Sequence, residues 1–255
     1  MIAGQVDLSV GSSAAVSGMI LGNVVNSYGI ANGLLAVLVY GLVIGAINGF
    51  FVTVIGVNSL ITTLGTLATL YGIALLIGNG QTLMMKNFEW LGTAQPAGIP
   101  LPILIFFVIA VVGIITLRRT RFGRSLYAIG SNPNAARVVG IRSNRILFAT
   151  FVLSGLSSAL AGAILCSQLS AGDPNAARGL ELEVITAIVL GGARLAGGRG
   201  TMWGTIIGLT TIGVLNNGLI LLDVPTFWQR VAQGLMLILA VSFDATRERL
   251  AAKRR

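Results

Sequence analysis

The sequence predicts an all-α, polytopic integral membrane protein with about eight transmembrane or partly spanning helices. Three observations carry that expectation. Only 10% of the 255 residues are charged and 55% are hydrophobic, where a soluble domain of this length carries about 25% charged residues. Mean hydropathy is +0.88. The apolar residues fall into runs of about 20, the length that crosses a hydrocarbon core about 30 Å thick.

On that rule the candidate spans are Leu8–Val25, Leu34–Ile55, Leu60–Ile77, Leu101–Leu117, Ile146–Leu169, Val184–Leu195, Met202–Leu222 and Trp228–Phe243. The sixth is too short to cross alone. No internal repeat and no soluble domain is visible, so residues 1–255 read as one transmembrane domain.

Charge sets the expected orientation. The net charge of +9 does not point to nucleic acid, because the basic residues sit in short loops between apolar runs rather than on a soluble face. The loop 118–145 holds seven arginines, Arg118, Arg119, Arg121, Arg124, Arg137, Arg142 and Arg145, and no acid. Such loops stay cytoplasmic. Alternation then places Gly78–Pro100, with Lys86 and Glu89, outside, and the loop SAGDPNAARGLELE outside as well. The loop GGARLAGGRGT, with Arg194 and Arg199, falls inside, DVPT outside, and the tail 244–255 in the cytoplasm. Every loop with a basic excess lands on one side.

Several chemistries are excluded by residue type. The chain has no histidine, and it offers neither metal-ligand spacing nor paired membrane-embedded carboxylates, which argues against a membrane enzyme. A secondary transporter would need coupling carboxylates inside its spans, and the clear spans hold none. Cys166 is single and lies in an apolar run, as a small buried hydrophobe would. GGRGTMWG lacks the Lys-Ser/Thr of a phosphate-binding loop and follows no strand, so this chain is expected to bind no nucleotide or other cofactor.

Glycines at four-residue spacing mark helix packing. Gly41, Gly45 and Gly49, and again Gly204 and Gly208, let backbones approach where lipid supplies no drive for association. Asp7 is the only charge before Lys86. It either caps the helix that starts near Ser9 or, with Ser9, serves a transport path. Asn216 and Asn217, inside an apolar run, are read as interhelical glue or as contacts along a path for a hydroxyl-bearing solute. Trp228 begins the last span as an interfacial anchor. Glu181 and Glu183 fall on an outer loop, too few and too exposed for a catalytic pair.

Within the basic loop, SNPNAARVVGI has the makings of a short helix. Ser131 or Asn132 can cap it, Pro133 suits its first position, and Gly140 can end it in the left-handed conformation. Two turns are not stable alone in water, so this helix must rest on the membrane surface or in a partner.

The segment RFGRSLYAIGSNPNAARVVGI resembles the cytoplasmic loop of the permease subunits of ribose-type, monosaccharide ABC importers. The run GLELEVITAIVLGGARLAGGRGTMWGTIIGL, followed by VLNNGLILLDVPTFWQRVAQGLMLILAV, resembles the same family. So does GQVDLSVG, similar to its G-G-x-D-L-S-V-G segment. The resemblance runs from about Gly4 to about Phe243. It implies that Ser131, Asn132, Pro133, Asn134, Ala135, Ala136, Arg137, Gly140 and Ile141 form a coupling helix that docks on a separate ATP-binding subunit. It also implies a second permease subunit and a solute-binding protein outside. Glu181 and Glu183, on the outer face, either meet such a protein or are solvated loop charges. Permeases for branched-chain amino acids or nucleosides are relatives of similar layout and stay open as alternatives. Members of the family usually carry further helices ahead of the aspartate motif, and Gln5 replaces the motif's second glycine. An even number of added spans keeps both termini cytoplasmic.

Overall fold

The computed structural model describes residues 1–85 and 88–252, with side chains described as far as Ser242. Lys86, and the side chains of the basic tail, lie outside the described residues. In chain order the elements are α1 (Val10–Tyr28), α2 (Ile30–Phe50), α3 (Ser59–Ile77), β1 (Leu83–Met84), α4 (Trp90–Thr93) and α5 (Leu101–Arg119). There follow α6 (Arg121–Ser131), α7 (Pro133–Val138), α8 (Ser143–Leu169), β2 (Ala171–Gly172), α9 (Leu180–Leu190), α10 (Met202–Leu221) and α11 (Thr226–Ala252). The chain is an all-α membrane protein. The only strands among the described residues are β1 and β2, paired antiparallel with Leu83 opposite Gly172.

Among the described residues, five segments are long and apolar enough to cross a bilayer: Ile30–Ile55, Ser59–Ile77, Leu101–Arg119, Ser143–Leu169 and Met202–Leu221. Their outward faces are apolar and uncovered, as lipid contact requires; Phe107, Val112 and Ile207 are each more than half exposed. α9, at 11 residues, reaches only about 16 Å and stops at the Gly191–Gly192 pair. It ends five residues short of the expected sixth span.

The contacts divide the chain into two compact units, Val6–Ile109 with Arg142–Leu180, and Met1–Gln5 with Ala110–Ile141 and Glu181–Arg255. In the first, α1 is the central helix. Every residue from Gly11 to Met19 is buried, so neighbours cover it on all sides. That is possible because most of GSSAAVSGM is Gly, Ser or Ala, whose short side chains leave the surrounding backbones close.

α8 lies along α2 and α1. A side chain at Gly45 would press on the backbone of Phe151 and Val152, one at Gly41 on Ala159 and Gly155, and one at Gly49 on the Phe148 ring. The seam has a second half on α8. A Cβ at Gly155 would collide with the Gly41 carbonyl and come within 2.7 Å of the Gly45 nitrogen, and one at Gly162 would collide with the Ala14 carbonyl.

Several hydroxyls inside these helices are satisfied locally, as hydrocarbon demands. Thr53, Thr63 and Ser158 each bond a carbonyl four residues back, at 2.7 to 2.8 Å. After α2 the chain makes one π-helical turn, Phe51–Ile55, ended by Gly56 at φ +87°. Asn144 Nδ2 donates to the Thr53 carbonyl there at 2.8 Å. β1, β2 and α4 close the other end: Ser167 Oγ donates to the Phe88 carbonyl and accepts from Gly92 N–H. Phe88 fills the core beside Cys166, which is buried as expected.

In the second unit α9 packs on α10 through glycine. Side chains at Gly204 and Gly208 would collide with the carbonyls of Gly191 and Ala187 respectively.

Candidate functional site

The basic loop is more helical than expected. α6 occupies Arg121–Ser131, with Thr120 as its cap and Gly123, Leu126 and Ile129 buried on one face. Ser131 is therefore the last residue of α6 and not the cap of the next helix. Asn132 breaks the two apart. It precedes a proline, which disfavours helical backbone, and sits extended at φ −158°, ψ 101°. Its side-chain oxygen accepts from Asn134 N–H and Ala135 N–H, both at 3.0 Å.

Pro133 then starts α7. The helix closes in a Schellman turn: Gly140 N–H donates to Arg137 O and Ile141 N–H to Ala136 O, each at 3.0 Å, with Gly140 at φ +81°. Both ends of a six-residue helix are thus satisfied by its own sequence.

What α7 presents is the informative part. Only Ala136 is buried; Arg137 is exposed, and Val138 and Val139 are 87% and 74% exposed. Two adjacent branched apolar side chains on a polar loop are a contact surface without a described contact. The expected site omitted both valines, although the VVG run in an otherwise basic loop was the signal. α6 supplies the base. Tyr127 Oη donates to the Gly200 carbonyl at 2.7 Å, and Gly198 N–H donates to the Ile2 carbonyl at 2.8 Å. Gly130 leaves room for that Ile2 carbonyl. The glycine-rich segment 191–201 is thus backbone support for the basic helices.

Asp7 and Ser9 are brought together in the first unit. Ser9 N–H and Ser9 Oγ both donate to Asp7 Oδ1, at 3.0 and 2.6 Å. Ser154 Oγ, from α8, donates to Oδ2 at 2.7 Å. Ser9 Oγ accepts in turn from Asn48 Nδ2 of α2 at 2.9 Å, and Asn48 Oδ1 accepts from Thr66 Oγ1 of α3 at 2.7 Å. One carboxylate therefore ties the residue that opens α1 to α8 and, through Ser9 and Asn48, links them to α2 and α3. Asn48, Thr66 and Ser154 were not singled out in the sequence, where they are three polar residues among many.

Asn216 and Asn217 lie in the other unit and part company. Asn217 is exposed, whereas Asn216 Oδ1 accepts from Gln233 Nε2 at 3.4 Å. The same amide donates to Glu183 Oε1 at 2.6 Å. Glu183 is thus not a solvated loop charge. It stands in the first turn of α9, half-buried, and burial pushes its carboxyl above its ordinary value while the Gln233 bond pulls the other way and nearby Glu181 adds to the rise. In the 170–183 loop, Tyr71 Oη donates to Asn175 Oδ1, and Arg178 donates to Tyr71 Oη with its guanidinium 5.0 Å from the ring centre.

Apolar crossings glued by small residues and hydroxyls, with a preformed helix held out on a basic loop, define a multi-pass membrane protein. Residues 1–241 match the family described as "Branched-chain amino acid transport system / permease component", and the chain belongs to that family. It is 39% identical over 248 residues to the ribose import permease protein RbsC of Escherichia coli K12, covering 94% of this chain and 77% of the relative. It is 40% identical to the L-arabinose ABC transporter permease protein AraH of Azospirillum brasilense, over 96% of this chain and 73% of that one. With RbsC of Bacillus subtilis the identity is 41%, over 96% and 77%. No solved structure matches the chain.

Proposed function

We propose that this chain is the membrane-spanning permease subunit of an ABC importer that carries a monosaccharide inward across the inner membrane. The observation that carries this reading is its likeness, along nearly the whole length, to permeases named for ribose and arabinose import. ATP is bound and hydrolysed by a separate subunit, which grips residues 131–141, with Val138 and Val139 as the apolar knob and Arg137 beside them. Two permease subunits, alike or different, enclose the path, and a solute-binding protein delivers the sugar from outside. The C-terminus is cytoplasmic, because the tail carries a basic excess like the other inward loops.

The chain runs from Ile141 into α8 within two residues, and α8 carries both Ser154 and Gly155. A pull on α7 is therefore a pull on the helix that holds the Asp7 network and the glycine seam. Packed helices that change between two discrete arrangements transmit such a pull. Asp7 and Ser9 order helices of the first unit, and Asn216, Glu183 and Gln233 form a separate amide and carboxylate group within the second.

The test is uptake of labelled ribose and arabinose in a host lacking its own permeases, with the chain expressed beside the ATP-binding and solute-binding proteins encoded near it. ATP-dependent uptake of one of the sugars is expected. Uptake of leucine and of neither sugar overturns the substrate reading. Full uptake by both Arg137→Glu and Gly140→Leu overturns the docking assignment.

A further inference from the structure

The last two turns of α5 carry a feature to which the proposed function assigns no role. A concavity of about 490 Å3 is lined by Ile114, Ile115, Arg118 and Arg119. Residues four apart stack on a helix face, so each isoleucine stands below one arginine, apolar toward the span and cationic at its end. Above Arg119, Arg121 and Arg124 open α6, and all four of these arginines are exposed. None of the four has a side-chain hydrogen bond or ion pair among the described residues. No Asp or Glu occurs between Glu89 and Asp173, so no counter-charge lies nearby in sequence.

We propose that Arg118 and Arg119 bind the headgroup phosphate of an anionic phospholipid, whose acyl chain lies on the Ile114–Ile115 face of α5. A guanidinium presents a planar fork of N–H donors that fits phosphate oxygens two at a time. Unpaired at the edge of a span, it is a site for an anion rather than part of a fold-internal pair. The apolar half of the concavity selects an amphiphile: it continues into the exposed Val111 and Val112 of the same helix, which hydrocarbon covers. The four cations together favour a lipid with net negative charge over a zwitterionic one. An acidic face of the ATP-binding subunit would satisfy the charges but not the isoleucines. The proposal needs α5 to cross the membrane and is independent of which solute is carried.

The experiment uses the full chain in detergent, titrated with short-chain phosphatidylglycerol and, separately, short-chain phosphatidylcholine, with bound lipid read by native mass spectrometry. Phosphatidylglycerol binds more tightly, and R118Q/R119Q weakens it about fivefold per arginine, so about 25-fold for the pair, with a smaller loss for phosphatidylcholine, whose phosphate is offset by its own choline cation. Equal binding of the two lipids, or no loss in R118Q/R119Q, overturns the proposal. So does displacement of the lipid by inorganic phosphate at the same concentration, which would show an anion site with no acyl component. Unchanged lipid binding with lost association of the ATP-binding subunit assigns the arginines to that subunit instead. Should R118Q/R119Q not insert, the unmodified chain decides. Raising salt from about 0.1 to about 1 M shortens the Debye length from about 10 to about 3 Å, and phosphatidylglycerol affinity must fall by more than phosphatidylcholine affinity does.

Discussion

Replacing Asp7 separates a structural carboxylate from a transport one. Asp7→Ala removes the acceptor of three donors, Ser9 N–H, Ser9 Oγ and Ser154 Oγ. Ser9 is only 2% exposed, so its N–H finds no water in exchange. The two hydroxyls can turn to other carbonyls, but the amide and the link to α8 are lost. Hydrogen bonds to a charged acceptor contribute about 1.5 to 3 kcal/mol each, so losing two costs about 3 kcal/mol at the low end. For a chain of this size that lowers Tm by about 6 to 12 °C.

Asp7→Asn is the informative partner. Its amide oxygen still accepts from Ser9, and its NH2 turns Ser154 from donor into acceptor. The charge goes, but so does the penalty of holding it beside a span. Its Tm should therefore stay within about 3 °C of the unmodified chain. The assay is thermal unfolding of detergent-solubilised protein followed by size-exclusion chromatography, with sugar uptake measured in parallel. A Tm for Asp7→Ala within about 2 °C of the unmodified chain refutes the role of Asp7 in holding these helices together. Asp7→Asn that is stable yet inactive would move the negative charge itself into the transport step.

How legible this was depends on what each signal encodes. Span positions follow from hydropathy alone, because lipid imposes length and polarity on every crossing, and expected and observed ends differ by a few residues in most helices. α7 was legible because Asn132, Pro133 and Gly140 each act on the backbone within their own turn. α6 was missed. Its apolar positions Leu126 and Ile129, buried beside Gly123, occupy one face, but the surrounding arginines read as a loop when charge is weighed before period. Long-range pairing was beyond reach. The glycines of α2 announced a seam, yet nothing local says that Gly155, 114 residues beyond Gly41 in the numbering, is its other half. Asp7 likewise names no partner, and Ser154 is one of many hydroxyls that bond their own helix. The same limit applied to Glu183, whose loop-like sequence context hides the Gln233 amide that α11 brings to it.

The remaining predictions probe the handle, the seam and this half-buried acid. Gly140→Val forces a branched residue to φ +81°, a conformation costing about 1 to 2 kcal/mol; membrane insertion survives while co-purification of the ATP-binding subunit falls several-fold. Val138→Asp with Val139→Asp leaves Tm unchanged, both side chains being free of neighbours, and abolishes the same association; retained association refutes α7 as the docking surface. Gly155→Leu drives a side chain into the α2 backbone, so that folded protein is not recovered in membranes, whereas Gly213→Leu, with nothing within 4 Å, is recovered normally. For Glu183 the sign of the pH effect is fixed by its direction of shift. A carboxyl raised in the folded state contributes stability that is complete below its ordinary value of 4.5 and is lost as pH rises through the folded value. Glu183→Gln keeps an oxygen to accept from Gln233 and removes the titration, so the decline of Tm above that value should flatten. A decline as steep in Glu183→Gln as in the unmodified chain would show that another group titrates there, and that Glu183 is solvated after all.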